Sequence, residues 1–337
     1  MVAERTNQGT DRDGGGTGRH RIRHALSGMR HLHRRRWFRV LAAGIFFYAL
    51  IQASYLAFTN VNLIPAMMIY GALVVPAAFM VYLYDGLEAT ELPVAAIVLC
   101  FLAAGSVGPS LASAVLWALF PGTDATYLEH VAVGPIEEAS KMVVPLVFFA
   151  LGAYRSVGAG VMLGLVSAMA FSVLETAGMS FGAYFVSSVS MQVGAGSVAP
   201  QDLVNAFGDP NNFFDNPLGI FLLDINLVAR SFVDPIGHGT WTMLVCFALW
   251  NERRKAGRFV LNWRVVAAFV AAASLHALFD TTLQLQGESS WVGALGWLAF
   301  LVTALFLLWL TVRLVRKTRE ATDADPAPPT SPVRPTP

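Results

Sequence analysis

Long apolar runs broken by brief polar punctuation dominate the chain. Val40 to Tyr84 contains no Asp, Glu, Lys or Arg, and neither does Leu92 to Thr123. A helix that crosses a bilayer needs about 20 apolar residues. Eight stretches approach or exceed that length: 38–58, 63–84, 92–120, 128–151, 157–187, 233–250, 264–286 and 291–313. Asn60-Val61-Asn62, the acidic DGLEATE run over 85–91, Pro121-Gly122 and the Gly152–Gly158 region separate them as turns. The pattern predicts an all-α polytopic membrane protein of about eight transmembrane helices. The longest connection, Ser188 to about Arg230, is rich in Gly, Asn, Asp and Pro and ends in an apolar stretch, LGIFLLDINLVA, too short to span. An interfacial and a re-entrant placement both fit that stretch.

Composition supports the pattern. Of 337 residues 55% are hydrophobic and only 13% charged, against about 25% charged in soluble domains, which excludes a single water-soluble core. The net charge of +1 says little, but its distribution says more. Between Val40 and Glu252 the only basic residues are Lys141, Arg155 and Arg230. With the N-terminus inside, inner segments hold Arg155, the five basic residues of NERRKAGRFVLNWR, and Arg313, Arg316, Lys317 and Arg319; the outer loops carry Asp124, Glu129, Asp202, Asp209, Asp215 and Glu288. This asymmetry predicts that both termini are cytoplasmic, in the cell membrane. The 85–91 loop is the exception, an inner loop with no basic residue. Residues 1–36 are expected to be a disordered basic arm that orients the first helix and touches anionic lipid rather than nucleic acid. The first apolar run reads as an uncleaved anchor. The helical membrane domain is expected over 37–318, followed by a Pro-rich disordered tail over 319–337. Cys100 and Cys246 form neither a disulfide framework nor a metal-ligand spacing.

Candidate chemistry lies in the ionisable residues inside the spans: Glu137, Glu138, Lys141, Glu175, Asp234, His238, His276 and Asp280, with Arg230 nearby. Each charge in hydrocarbon costs about 2.5–3.5 kcal/mol on the milder insertion scales. At 1.5 Å rise per residue, Glu137, Glu175, His276 and His238 lie roughly 14, 18, 15 and 8 Å below the outer ends of their spans. That common depth favours one shared site. Glu137 and Lys141, Phe171 and Glu175, and His276 and Asp280 are each four apart, on one helical face. Asp280 is placed to hold one nitrogen of His276. Asp234-Pro235 reads as an N-cap and first-turn proline, with His238 in the first turn and Arg230 in the preceding loop. Structural readings stand beside each: Lys141 as a counter-ion, the histidines as helix–helix hydrogen-bonding groups, Glu175 as a protonated packing residue, Asp280 as a support for His276, and Arg230 as a snorkelling anchor.

Glu137-Glu138-Ala-Ser-Lys141 matches E-E-x-x-K, Phe171-Ser-Val-Leu-Glu175 matches F-x-x-x-E, and His276-Ala-Leu-Phe-Asp280 matches H-x-x-x-D; the segment with Arg230 and GHGTW at His238 completes the set. In order and spacing, over roughly 131–283, the chain resembles the PrsW-type intramembrane proteases, relatives of the CAAX prenyl proteases and bacteriocin-processing membrane enzymes. The resemblance implies hydrolysis of a membrane-anchored protein near the outer face, with a single-span anti-sigma factor or a peptide precursor as examples of substrate. The chemistry needs a base, a water and an oxyanion stabiliser. Glu137 or Glu138 can be the base. His238, His276 and Glu175 can hold Zn²⁺ as a two-His-one-Glu set, or the histidines can steady the oxyanion without metal. Two other classes remain at this point: a proton-coupled transporter using the same groups as a relay, and a non-catalytic scaffold.

Overall fold

The computed structural model describes residues 32–87, 89, 91–121, 127–193, 217–286 and 291–324. Among them are nine α-helices and no strand: α1 (Arg36–Phe58), α2 (Ile64–Gly86), α3 (Val94–Leu119), α4 (Tyr127–Leu151), α5 (Val157–Val193), α6 (Pro217–Val233), α7 (His238–Ala256), α8 (Trp263–Leu285) and α9 (Trp291–Asp323). Six of these, α1, α2, α3, α5, α8 and α9, are long and apolar enough to cross a membrane. The chain is a polytopic helical membrane protein. The two expected spans outside that group are α4 and α7, and their composition gives the reason. α4 carries Glu129, Glu137, Glu138 and Lys141, and α7 ends on Glu252, Arg253, Arg254 and Lys255.

α5 is the axis of the bundle. It packs against α2, α3, α4, α6, α7 and α9, and 94% of its most apolar window is buried, against 6% for α1. A helix apolar on every side is stable only when surrounded, whereas α1 shows most of its surface to lipid. Small residues let the neighbours of α5 come close, as in other membrane bundles. A Cβ on Gly160 would fall within the Trp250 ring, and one on Gly164 would stand 2.7 Å from Cys246 Sγ. α7 therefore lies directly along the N-terminal half of α5. Cys246 and Cys100 are both buried and free.

The apolar stretch before His238 is the helix α6, set against α5 and α2. Ile220, Leu223, Leu227 and Ser231 are buried, while Phe221, Ile225, Val228 and Phe232 are exposed. Its one acidic residue, Asp224, accepts hydrogen bonds from Tyr48 Oη at 2.5 Å and from Gln52 Nε2, both on α1. Ser231 Oγ donates to the Gly71 carbonyl at 2.7 Å, fixing α6 on α2. A four-residue turn, 234–237, then leads into α7.

At the other end of the bundle the acidic 85–91 loop finds its own partners. Glu91 Oε1 accepts the Arg155 N–H at 2.7 Å and Oε2 the Ser156 N–H at 3.0 Å, just before α5, and Ser156 Oγ in turn caps that helix by accepting the Ala159 N–H at 3.1 Å. Asp85 pairs with Arg36 at 3.5 Å. α9 runs on to Asp323, past the domain boundary expected at 318. The expected arm up to residue 31, the end of the tail from 325 and the 194–216 part of the long loop lie outside the described residues.

Candidate active site

α4 delivers three charged groups from one helix because its backbone can press directly on α8. At Gly134 a Cβ would stand 2.5 Å from the Ala273 carbonyl oxygen and 3.0 Å from the Ala277 nitrogen. Only glycine permits that crossing. One turn later Glu138 meets His276, the residue before Ala277. His276 Nδ1 lies 3.0 Å from Glu138 Oε1, and His276 Nε2 lies 3.6 Å from Glu137 Oε2 and 3.4 Å from Asp280 Oδ2. Trp241, from the first turn of α7, stacks on the His276 ring at 4.2 Å and an interplanar angle of 17°.

Lys141 is at the centre. Its side chain is buried, and its ammonium reaches Glu138 Oε1 at 2.8 Å, Glu137 Oε2 at 3.2 Å and His238 Nδ1 at 2.7 Å. Three N–H donors thus meet three acceptors. The Phe171 ring lies beneath Nζ, 4.4 Å away, which gives the first residue of the F-x-x-x-E pair a cation–π role. The last residue of that motif, Glu175, faces His238: Glu175 Oε2 is 3.3 Å from His238 Nε2. Arg230 donates to Glu175 Oε1 at 2.7 Å and to Thr176 Oγ1 at 3.0 Å.

The expected N-cap at Asp234 is not what the structure has. Gly237 is the N-cap residue of α7, Arg230 is in helix α6, and the Asp234 carboxylate turns sideways to accept the Thr176 hydroxyl at 2.6 Å, with Arg230 Nη2 at 3.9 Å. A buried carboxylate is better served by a hydroxyl and a guanidinium than by a lone helix end. Every site residue singled out in the sequence is part of this one cluster. Thr176, Thr242 and Trp241 were not singled out. Thr242 Oγ1 donates to Glu138 Oε2 at 3.0 Å.

Burial separates the two adjacent glutamates. Glu138 is 0% exposed, and Lys141, His276 and Thr242 occupy both its oxygens. Glu137 retains 8% exposure and borders Glu175 and Asp280, which are both partly exposed. The partners also assign the imidazole tautomers. Glu138 accepts from His276 Nδ1–H, and in the neutral ring Nε2 then presents its lone pair between Glu137 and Asp280. Lys141 donates to His238 Nδ1, so the proton of neutral His238 stands on Nε2, toward Glu175.

Residues 88–311 match the profile described as PrsW family intramembrane metalloprotease, about two thirds of the chain and all of the cluster. The chain belongs to the PrsW family. Neither the curated proteins nor the solved structures give a match. Membership makes the protein a membrane protease, and the family description raises the matter of a metal. One ligand atom each of Glu137, His238 and His276 lie within 4.8 Å of one another. Glu175, the carboxylate expected beside the histidines, is outside that group, yet its Oε2 is buried, has no hydrogen-bond partner and faces His238 Nε2. Two imidazoles and a carboxylate suit zinc, and a carboxylate holding the far nitrogen of His276 is the usual support for a ligating histidine. The residues of this PrsW protein therefore fit such an ion, on one condition: ligation through His238 Nε2 moves the ring proton to Nδ1, where Lys141 must accept it as a neutral amine.

Proposed function

We propose that the protein is an intramembrane endopeptidase of the cell membrane, crossing the bilayer eight times with both termini cytoplasmic, and that Glu137 activates the water that attacks a peptide bond of a membrane-anchored protein near the outer face. α4 and α7 complete the eight spans, because their membrane-depth charges face one another across the bundle and not the lipid. The observation that carries the reading is the contrast between the two glutamates. Glu138 is saturated by donors and can only orient His276, whereas Glu137 is the member of the pair that water can approach.

In the hydrolysis Glu137 takes the proton of the attacking water and passes it to the leaving amine. In the route without a metal, His238 Nε2–H, aligned by Lys141 from behind, is a donor for the developing oxyanion. His276 Nε2, held by Glu138, accepts from the water or ligates. The residues that would hold Zn²⁺ are His238 and His276, with Glu175 Oε2 as the carboxylate ligand. When bound there, the ion polarises the carbonyl and acidifies the water. Arg230 keeps Glu175 in place through its other oxygen. The substrates are membrane-embedded proteins, with regulated cleavage of signalling proteins such as anti-sigma factors as the proposed role.

The test is cleavage of a membrane-anchored reporter by Glu137→Gln and His276→Ala variants that still accumulate in the membrane. Both are expected to be inactive. Normal cleavage by both would remove the enzyme assignment.

A further inference from the structure

Thr242 does something unusual for a threonine in a helix interior. Such hydroxyls commonly turn back onto the carbonyl one turn earlier, as those of Thr281, Thr311, Thr318 and Thr322 do here. Thr242 instead donates across the bundle to Glu138 Oε2 at 3.0 Å. It is 0% exposed and stands four residues after His238, so the face of α7 that presents the histidine also presents this hydroxyl.

Glu138 Oε1 receives both strong donors, Lys141 Nζ and His276 Nδ1. Turning the carboxylate about its last torsion would carry Oε1 away from these two donors, and a hydrogen bond on the other oxygen restrains the same torsion from its second side. Among the described residues the hydrogen bond that fixes the second oxygen comes from Thr242. We infer that Thr242 is a positioning residue: its hydroxyl locks the plane of Glu138, and Glu138 in turn holds the His276 ring so that Nε2 faces the reaction. This rests on the protease reading above. It assigns a role to a residue outside the four sequence motifs, and one that never touches substrate.

Two substitutions separate positioning from packing. Thr242→Val keeps the shape and removes the hydroxyl, whereas Thr242→Ser keeps the hydroxyl and removes a methyl. The full-length variants are compared in membranes by their reporter-cleavage kinetics, with Glu137→Gln as the inactive control. The expected result is a kcat about 10- to 100-fold lower for Thr242→Val, by analogy with loss of a group supporting a ligating histidine, with KM and membrane abundance unchanged and Thr242→Ser close to wild type. Wild-type turnover by Thr242→Val, or equal impairment of both variants, overturns the inference and leaves the protease reading standing. Normal cleavage by both Glu137→Gln and His276→Ala would instead remove the protease reading and the inference with it.

Discussion

Lys141 Nζ and His238 Nδ1 lie 2.7 Å apart, with two carboxylates on the remaining faces of the ammonium. The lysine is therefore counter-ion and imidazole clamp together. Removing it leaves the buried Glu138 carboxylate without the cation that stands beside it.

Lys141→Met is expected to destabilise the protein by about 3–5 kcal/mol, the cost of breaking one side of a buried ion pair, and to abolish cleavage. Thermal unfolding of the purified protein in detergent measures the first effect. A melting temperature equal to wild type would show that the ammonium contributes nothing to holding the bundle.

Glu137 and Glu175 are expected to separate base from ligand. Purified Glu137→Gln should keep wild-type zinc and lose activity, and Glu175→Gln should lose both. Elemental analysis reads the difference. If Glu137→Gln is the variant without zinc, the ligand set is the Glu137, His238 and His276 group that lies within 4.8 Å. Chelation should stop cleavage, and an active preparation without zinc would remove the metal route.

Gly134→Val should separate α4 from α8, because its side chain would meet backbone and not a yielding side chain. Overpacking of this kind costs about 1–3 kcal/mol, and the Glu138–His276 contact one turn away should open. A cysteine pair placed across α4 and α8 should cross-link less readily in the variant, alongside reduced cleavage. Unchanged cross-linking would mean that the crossing tolerates a larger residue.

Glu252 provides a pH-dependent prediction outside the membrane. Past Trp250, at the polar end of α7, its carboxylate accepts from Lys255 at 3.0 Å, from Asn262 at 2.6 Å and from Arg264 at 3.2 Å. These hydrogen bonds hold it down at about 2 from an ordinary 4.5. Since the folded state favours the ionised form, the stabilisation is complete above pH about 4.5 and is lost as pH falls toward 2. The melting-temperature gap between wild type and Glu252→Gln should therefore be widest at pH 6 and shrink steadily below 4.5. A gap independent of pH would rule out this clasp.

Much of the site was legible before the fold because charges in hydrocarbon are costly and few. Glu137, Glu138, Lys141, Glu175, His238, His276 and Asp280 stood out by depth and four-residue spacing, and they do meet. Thr176 and Thr242 did not stand out, since a threonine in an apolar helix is ordinary and its partner can be the local backbone. Asp234 was noticed and misread, because Asp-Pro before a helix looks like a cap whether or not the side chain turns away. α6 was ambiguous for a related reason. Seventeen residues are too few to span, and its place depends on Asp224 meeting Tyr48 and Gln52, 176 and 172 residues distant. Pairings at that range leave no periodic trace. The acidic 85–91 loop looked anomalous by charge, and its carboxylates find partners in Arg36 beside Asp85 and in the backbone N–H groups that Glu91 receives.

That last contact reaches further than its loop. Glu91 grips the two residues that lead into the central helix, and Glu175 rides on that helix about 27 Å from its start. A rod held at its base cannot slide. The height at which this carboxylate meets His238 is thus set from the opposite end of the bundle, so a change at Glu91 would be felt by a carboxylate a helix-length away.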